Sequence, residues 1–116
     1  MNNYASGRNR ETARLSSLRD KGDAIIGGRF IGSKVSKGWI RTLGFNPKLD
    51  LWYIDSKHVI HFEQFKSAKK GRVPRISREE IEAVQRFADI FHNSNAVWVG
   101  YVLKEYRKKA REIRLN

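Results

Sequence analysis

Two kinds of hydrophobic pattern divide this chain into segments that favour helices and segments that favour strands. Residues 77–91 repeat apolar side chains about every 3.6 positions, which is typical of a helix with one buried face. Residues 96–103 are a run of β-branched and aromatic residues, which is typical of a buried strand. Residues 49–54 and 58–66 are also predicted strands, joined by a hairpin turn at 55–57. These segments predict an α/β fold.

The ends of two helices are marked by capping residues. The first helix is predicted over residues 6–21, with Ser6 as its N-cap and Gly22 as the glycine that ends it. Its buried stripe contains Leu15 and Leu18, and the same stripe extends back to Glu11. The second helix follows a capping box, in which Ser77 is the N-cap and Glu80 stands three residues later.

The predicted order is helix, three strands, helix, strand and a basic tail. The first strand is placed at residues 24–26, before a glycine-rich stretch at 27–32 that we interpret as a flexible turn able to approach a phosphate. Residues 33–48 are predicted to be a mobile basic loop. A chain of 116 residues fits one domain, which we divide into a core (4–103) and a tail (104–116) whose pattern is helix-compatible to residue 115.

Charge predicts the kind of partner. The chain has 24 Lys and Arg against 12 Asp and Glu, a net charge of +12, so we expect a polyanion, with nucleic acid preferred to an anionic membrane surface. Residues 34–48 and 66–78 contain no acid, and we interpret both stretches as phosphate contacts. The charges at 107–114 are interpreted as a solvated face. Trp39 in the first basic stretch could stack on a base or pin the loop.

Composition excludes several classes of protein. No apolar run approaches the roughly 18 residues that cross a bilayer, and no apolar secretory segment is found. The chain has no cysteine, which excludes disulfides, thiolate zinc sites and cysteine nucleophiles. His58 and His61 would face opposite sides of a strand, so a zinc site is not expected. We therefore expect an intracellular protein with no membrane partner.

Four polar residues are candidates for chemistry. Asp50 shares a strand face with Trp52 and Ile54, while Gln64 and Lys66 share one face of the next strand. In a hairpin these groups can meet at the open end, and Glu11 could join them if the first helix packs there. Acids, an amide oxygen and a lysine together suit Mg²⁺-dependent phosphodiester cleavage. The alternative is that Asp50 caps a strand, Glu11 makes a helix salt bridge and Lys66 is solvated.

Short motifs in this order resemble those of the archaeal Holliday junction resolvases, in the PD-(D/E)xK nuclease superfamily, which viruses of archaea also carry. The motifs are Tyr4, Gly7-Arg8-Asn9-Arg10-Glu11, Gly32-Ser33, Leu49-Asp50-Leu51 and Phe62-Glu63-Gln64-Phe65-Lys66. The resemblance covers residues 4–103. It implies a restriction-endonuclease-like αβββαβ fold and a homodimer that resolves four-way junction DNA in recombination and repair. It also implies Mg²⁺ as cofactor, with Mn²⁺ able to substitute, and the cytoplasm of an archaeal cell or virus-infected host as location.

The resemblance also implies roles for individual residues. The catalytic set would be Glu11, Ser33, Asp50, Gln64 and Lys66, of which Glu11, Asp50 and Gln64 would bind the metal. The family has an acid at the position of Gln64, so metal affinity should fall here. Glu63 is adjacent but should point to the opposite face unless a bulge intervenes.

The remaining expectations concern DNA contacts and assembly. DNA contacts are expected from Arg8, Arg10, Arg29, Lys34, Lys37, Lys69, Lys70 and Arg72. The dimer surface is expected to use Phe87, Phe91, Trp98 and Tyr101, unless they are intramolecular core. Two alternatives to a junction resolvase stay open. One is a non-catalytic nucleic-acid binder, and the other is a nuclease of the same fold acting on linear duplex or RNA.

Overall fold

A computed structural model describes residues 3–30 and 48–116. Within these ranges the elements are α1 (Asn3–Asp20), β1 (Ile26–Arg29), β2 (Leu51–Ile54), β3 (Ile60–Ser67), α2 (Arg78–Ile90), β4 (Val97–Lys104) and β5 (Arg111–Arg114). The strands form one sheet in the order β1-β2-β3-β4-β5. Neighbouring strands are antiparallel except for β3 and β4, which are parallel and are connected through α2. The predicted α/β class and the predicted hairpin of β2 and β3 are confirmed.

The structure confirms the predicted cap at the start of α2 and the glycine that follows α1, but not the predicted start of α1. The Ser77 hydroxyl accepts a hydrogen bond from the Glu80 backbone N–H at 3.1 Å, and the Glu80 carboxylate accepts one from the Ser77 backbone N–H at 3.1 Å. This is the predicted capping box. Helix α1 ends at Asp20, and Gly22 follows with a left-handed φ of 75°. The prediction of Ser6 as N-cap is wrong, because the helix already begins at Asn3.

The first strand lies further along the chain than predicted. Strand β1 begins at Ile26 and contains Gly27 and Gly28, so at least this part of the glycine-rich stretch is not a flexible turn. A Cβ on Gly27 would lie 2.5 Å from the Cβ of Tyr53 on the neighbouring strand. Glycine is therefore needed here for close strand pairing. Residues 31–47, which include Trp39 and most of the predicted basic loop, lie outside the described residues.

The basic tail does not form the helix that its pattern allows. Residues 111–114 form β5, which pairs with β4 and covers its outer edge. Gly100 pairs with Arg114, and a Cβ on Gly100 would collide with the carbonyl oxygen of Ile113. The Asn116 side chain then accepts a hydrogen bond from the Val99 N–H at 2.8 Å. Hydrogen bonding of β5 to the edge of β4, where Gly100 permits close approach, therefore decides the conformation of the tail.

One helix covers each face of the sheet. On one face, Leu15 and Leu18 of α1 pack in a buried cluster with Tyr53 and Phe65. On the other face, α2 packs through Val84, Phe87 and Ala88 against Phe62 and Val99. Phe62 and Phe65 come from the same strand and face opposite ways, as the two-residue alternation requires. The predicted buried stripe of α1 and the predicted apolar face of α2 are thus both in the core.

The expected dimer residues do not form one surface. Phe87 is fully buried, and its ring lies 5.1 Å from that of Phe62, so its assignment to a dimer contact is wrong. Trp98 packs against the α1-side cluster, whereas Phe91 packs against the α2-side cluster. These side chains lie on opposite faces of the sheet. Among the described residues, no helix has the length and hydropathy needed to span a membrane.

Candidate functional site

A cavity lies where β3 extends past the end of β2. The β2 register ends with Leu51 opposite Glu63, while β3 continues to Ser67 beside β4. The cavity left at this edge measures about 200 Å³. It is lined by Arg10, Glu11, Asp50, Gln64, Phe65, Lys66 and Ser67. We call it the acidic cavity, after the two carboxylates in its wall.

Four of the five predicted catalytic residues meet in this cavity, namely Glu11, Asp50, Gln64 and Lys66. They come from α1, from the residue before β2 and from the end of β3. The fifth, Ser33, lies outside the described residues. The placement at the open end of the hairpin is the one expected from strand alternation. Their catalytic and metal-binding roles stay predictions.

Asp50 is held by the backbone of β3. Its Oδ2 accepts a hydrogen bond from the Phe65 N–H at 2.9 Å. Its own N–H donates to the Glu63 carbonyl at 2.9 Å, although the register pairs Leu51 with Glu63. Two residues of one strand thus face one residue of the other, as in a β-bulge, which bends a strand locally and re-aims a side chain. Asp50 therefore has the strand-capping role that was the alternative to a chemical one. The two roles are compatible, because a carboxylate can accept more than one hydrogen bond.

Gln64 has one satisfied end and one unsatisfied end. Its Nε2 donates to Oε2 of Glu80 at 2.8 Å, which fixes the orientation of the amide. Its Oε1 is buried and has no hydrogen-bond partner among the described residues. Leaving such an oxygen unpaired costs about 1–3 kcal/mol. A cation or a water molecule bound beside it would remove that cost.

The donor set of the acidic cavity fits Mg²⁺, with less charge than the resemblance leads one to expect. Glu11 and Asp50 supply carboxylates and Gln64 supplies an amide oxygen, and hard divalent cations bind such oxygens. In the described part of the chain, no group of three or more His, Cys, Asp or Glu side chains is placed to hold a metal ion. The third donor of the acidic cavity is the neutral amide of Gln64, which would hold a cation more weakly than a carboxylate.

Lys66 is paired with an acid that the sequence marked only as a helix cap. Its Nζ lies 2.8 Å from Oε2 of Glu80, the oxygen that also accepts from Gln64. Burial alone would raise the pKa of Glu80, but hydrogen bonds from Lys66 and Ser77 hold that pKa below its ordinary value. Glu80 is therefore an anion that offsets Lys66. The capping box was a visible signal for Glu80, although it gives no indication of which strand the helix N-terminus faces.

Glu63 does not replace the missing acid. It is fully buried on the α1 side of the sheet, where its Oε2 lies 3.5 Å from Nε of Arg14. Burial raises the pKa of Glu63 to about 7, against the partial compensation by Arg14. The bulge lies on the neighbouring strand and leaves Glu63 facing away from the acidic cavity. The expectation that Glu63 points to the face opposite Gln64 is thus confirmed.

The predicted DNA contacts are spread over several elements. Arg10 lines the acidic cavity, and its Nη1 donates to the Ser67 carbonyl at 3.1 Å. Arg29 is half-buried at the end of β1. Lys69, Lys70 and Arg72 are exposed on the segment that follows β3. Arg8 belongs to α1, and Lys34 and Lys37 lie outside the described residues.

Comparisons with protein-family models, with curated proteins and with solved structures find no match to this chain.

Proposed function

We propose that this protein is a metal-dependent endonuclease that cleaves phosphodiester bonds in four-way DNA junctions. The observation that supports this proposal is the single cavity that collects Glu11, Asp50, Gln64 and Lys66. The order of elements, αβββαβ before the last strand, is compatible with a restriction-endonuclease-like core. That fold assignment is part of the proposal.

Each residue has a separate task in the proposed reaction. Glu11, Asp50 and the amide oxygen of Gln64 would hold Mg²⁺, or Mn²⁺ in its place. The bound cation supplies positive charge and a means of activating water. Lys66 donates to a non-bridging phosphate oxygen, where its charge stabilises the developing negative charge. Glu80 positions Lys66 and the Gln64 amide, since one of its oxygens contacts both.

Junction selectivity and assembly belong to the same proposal. A four-way junction has two-fold symmetry, so a homodimer with two sites would nick paired strands. Recognition would rest on shape and phosphate contacts, which do not report base sequence directly. The net charge of +12 supports a phosphate-rich partner. The proposed location is the cytoplasm of an archaeal cell or of a virus-infected host.

A second candidate function is a junction-binding protein that does not cleave. Two observations favour it. The third metal donor is the neutral Gln64, and the Lys66 ammonium is already paired with Glu80 at 2.8 Å. Such a protein would keep the phosphate contacts and lose the chemistry.

The test compares cleavage of a synthetic four-way junction with cleavage of a linear duplex and an RNA of matching sequence, in Mg²⁺, Mn²⁺ or EDTA. Metal-dependent nicking of the junction that disappears in Asp50→Ala is the expected result. Asp89→Ala, which removes an exposed acid from α2, is the matched control and should cleave normally. Tight junction binding without nicking would establish the second candidate. Equal cleavage of linear duplex or RNA would contradict junction selectivity.

A further inference from the structure

A second cavity, of about 290 Å³, lies between α1 and the β4–β5 hairpin. Its wall contains no acid among the described residues, and six of its lining residues are cations: Arg10, Arg14, Lys21, Lys104, Lys108 and Lys109. We call it the basic cavity. The charged side chains of residues 107–114 are exposed, in agreement with the predicted solvated face, and pairing of β5 with β4 places Lys108 and Lys109 opposite α1.

Two of these charges have no counter-charge within the described residues. Arg14 is paired with Glu112 at 2.9 Å and Lys108 with Glu105 at 3.4 Å. Within residues 3–30 and 48–116, neither Lys21 nor Lys109 pairs with a carboxylate. Cations gathered in one concave surface create a positive potential that a bound anion would relieve.

The polar groups of the basic cavity suit a phosphate. Lysine ammonium groups and the Arg10 guanidinium form charge-assisted hydrogen bonds to phosphate oxygens. Ser17 and Ser67 add hydroxyl groups to the same wall. A phosphate group accepts several such bonds at once.

The basic cavity adjoins the acidic cavity. Arg10, Phe65 and Ser67 line both of them. The Arg10 guanidinium is anchored at this boundary by its bond to the Ser67 carbonyl. One nucleic-acid strand could therefore place phosphates in both cavities.

We propose that the basic cavity binds a phosphate of the same DNA strand that is held at the acidic cavity. The identity of the strand rests on the proposed function. Lys21 and Lys109 make the contact from the two sides of the cavity, and Arg10 connects it to the acidic cavity. The β4–β5 hairpin is thereby part of the DNA-binding surface.

The experiment measures junction affinity across a salt series in EDTA, where metal-dependent cleavage does not occur. The double variant Lys21→Gln/Lys109→Gln should bind the junction about tenfold more weakly at low salt. The slope of log K plotted against log[salt] should also be smaller in magnitude by about 1, as expected for one lost phosphate contact. The matched control is Lys57→Gln/Arg86→Gln, which removes two exposed cations that do not line the basic cavity. The control should change the slope by much less.

A second arm uses inorganic phosphate and follows the melting temperature of the same variants. An unchanged DNA slope in Lys21→Gln/Lys109→Gln would overturn the proposal. If that variant also loses stabilisation by inorganic phosphate, the basic cavity is a site for a free anion. A slope change equal to that of the control would overturn the proposal as well. A reduced slope in a protein that does not cleave any junction would uphold the basic cavity and reject the nuclease proposal.

Discussion

Gln64 and Glu80 form a coupled pair, with the amide Nε2 of Gln64 2.8 Å from Oε2 of Glu80. The same carboxylate oxygen lies 2.8 Å from Nζ of Lys66. A neutral donor at position 64 therefore suits an acid at position 80. An acid at position 64 would bring two carboxylates into contact, and one of them would resist ionisation. A substitution that places an acid at position 64, as in the family that the sequence resembles, thus has to take Glu80 into account.

We predict that Gln64→Glu alone destabilises the protein by about 1–2 kcal/mol and that Gln64→Glu/Glu80→Gln recovers this loss. Gln at position 80 keeps the capping box, because an amide oxygen also accepts the Ser77 N–H. The double variant should bind Mn²⁺ about tenfold more tightly than the wild type, since a carboxylate replaces a neutral donor. Urea unfolding and calorimetric metal titration measure the two effects. Additive single-variant effects would show that positions 64 and 80 are independent.

Asp50 is predicted to have separable structural and chemical roles. Asp50→Asn keeps an oxygen that can accept the Phe65 N–H, whereas Asp50→Ala removes it. We expect Asp50→Asn to stay within about 1 kcal/mol of wild-type stability and Asp50→Ala to lose about 1–3 kcal/mol. Both should lose junction cleavage by about 100-fold or more if the carboxylate binds the metal. Parallel unfolding and cleavage assays test this, and normal cleavage by Asp50→Asn would remove Asp50 from the metal site.

Stability should fall as the pH rises from about 4.5 to about 7, through the ionisation of Glu63. The pKa of Glu63 is raised from 4.5 to about 7 by burial. Between these values the unfolded chain releases a proton that the folded protein retains, so the contribution of Glu63 to stability is complete at low pH and is lost by pH 7. The decrease is of the order of 3 kcal/mol.

Glu63→Gln isolates this effect, because it keeps the side-chain shape without the titration. The difference in unfolding free energy between wild type and variant, measured in urea and EDTA, should change across that window and be level above it. Asp55 and Glu80, whose pKa values are lowered, lose their contributions as the pH falls below their ordinary values of 3.8 and 4.5. They therefore act outside the window. A pH-independent difference would contradict the buried ionisable state of Glu63.

Gly100→Ala should weaken the docking of β5. A Cβ at Gly100 meets the Ile113 carbonyl, which is backbone and cannot rotate away. We expect a loss of about 2–4 kcal/mol and faster amide exchange in β5. Gly28→Ala is the matched control, because its Cβ meets the movable Trp52 side chain at 3.3 Å and should cost below about 1 kcal/mol. Equal losses in the two variants would contradict close strand approach as the reason for Gly100.

Sequence patterns were informative where structure is local. The capping box of Ser77 and Glu80 marked the start of α2, and the 3.6-residue period of residues 77–91 predicted one buried face, which in the structure contains Val84 and Phe87. Patterns were misleading where a distant strand decides the conformation. The pattern of the tail is compatible with a helix, but residues 111–114 form β5, since the edge of β4 offers hydrogen bonds and Gly100 leaves room for them.

The sequence by itself determined the side of the sheet on which each candidate of β3 lies. A two-residue period places Gln64 and Lys66 on one face of β3 and Glu63 on the other, and no long-range contact is needed for that result. The tertiary structure alone decided what those side chains meet. Glu80 reaches Gln64 and Lys66 because α2 crosses back over the sheet between β3 and β4, and Lys109 reaches the α1 side because β5 pairs with β4. Local periodicity specifies the direction of a side chain, whereas its partner depends on how distant segments pack.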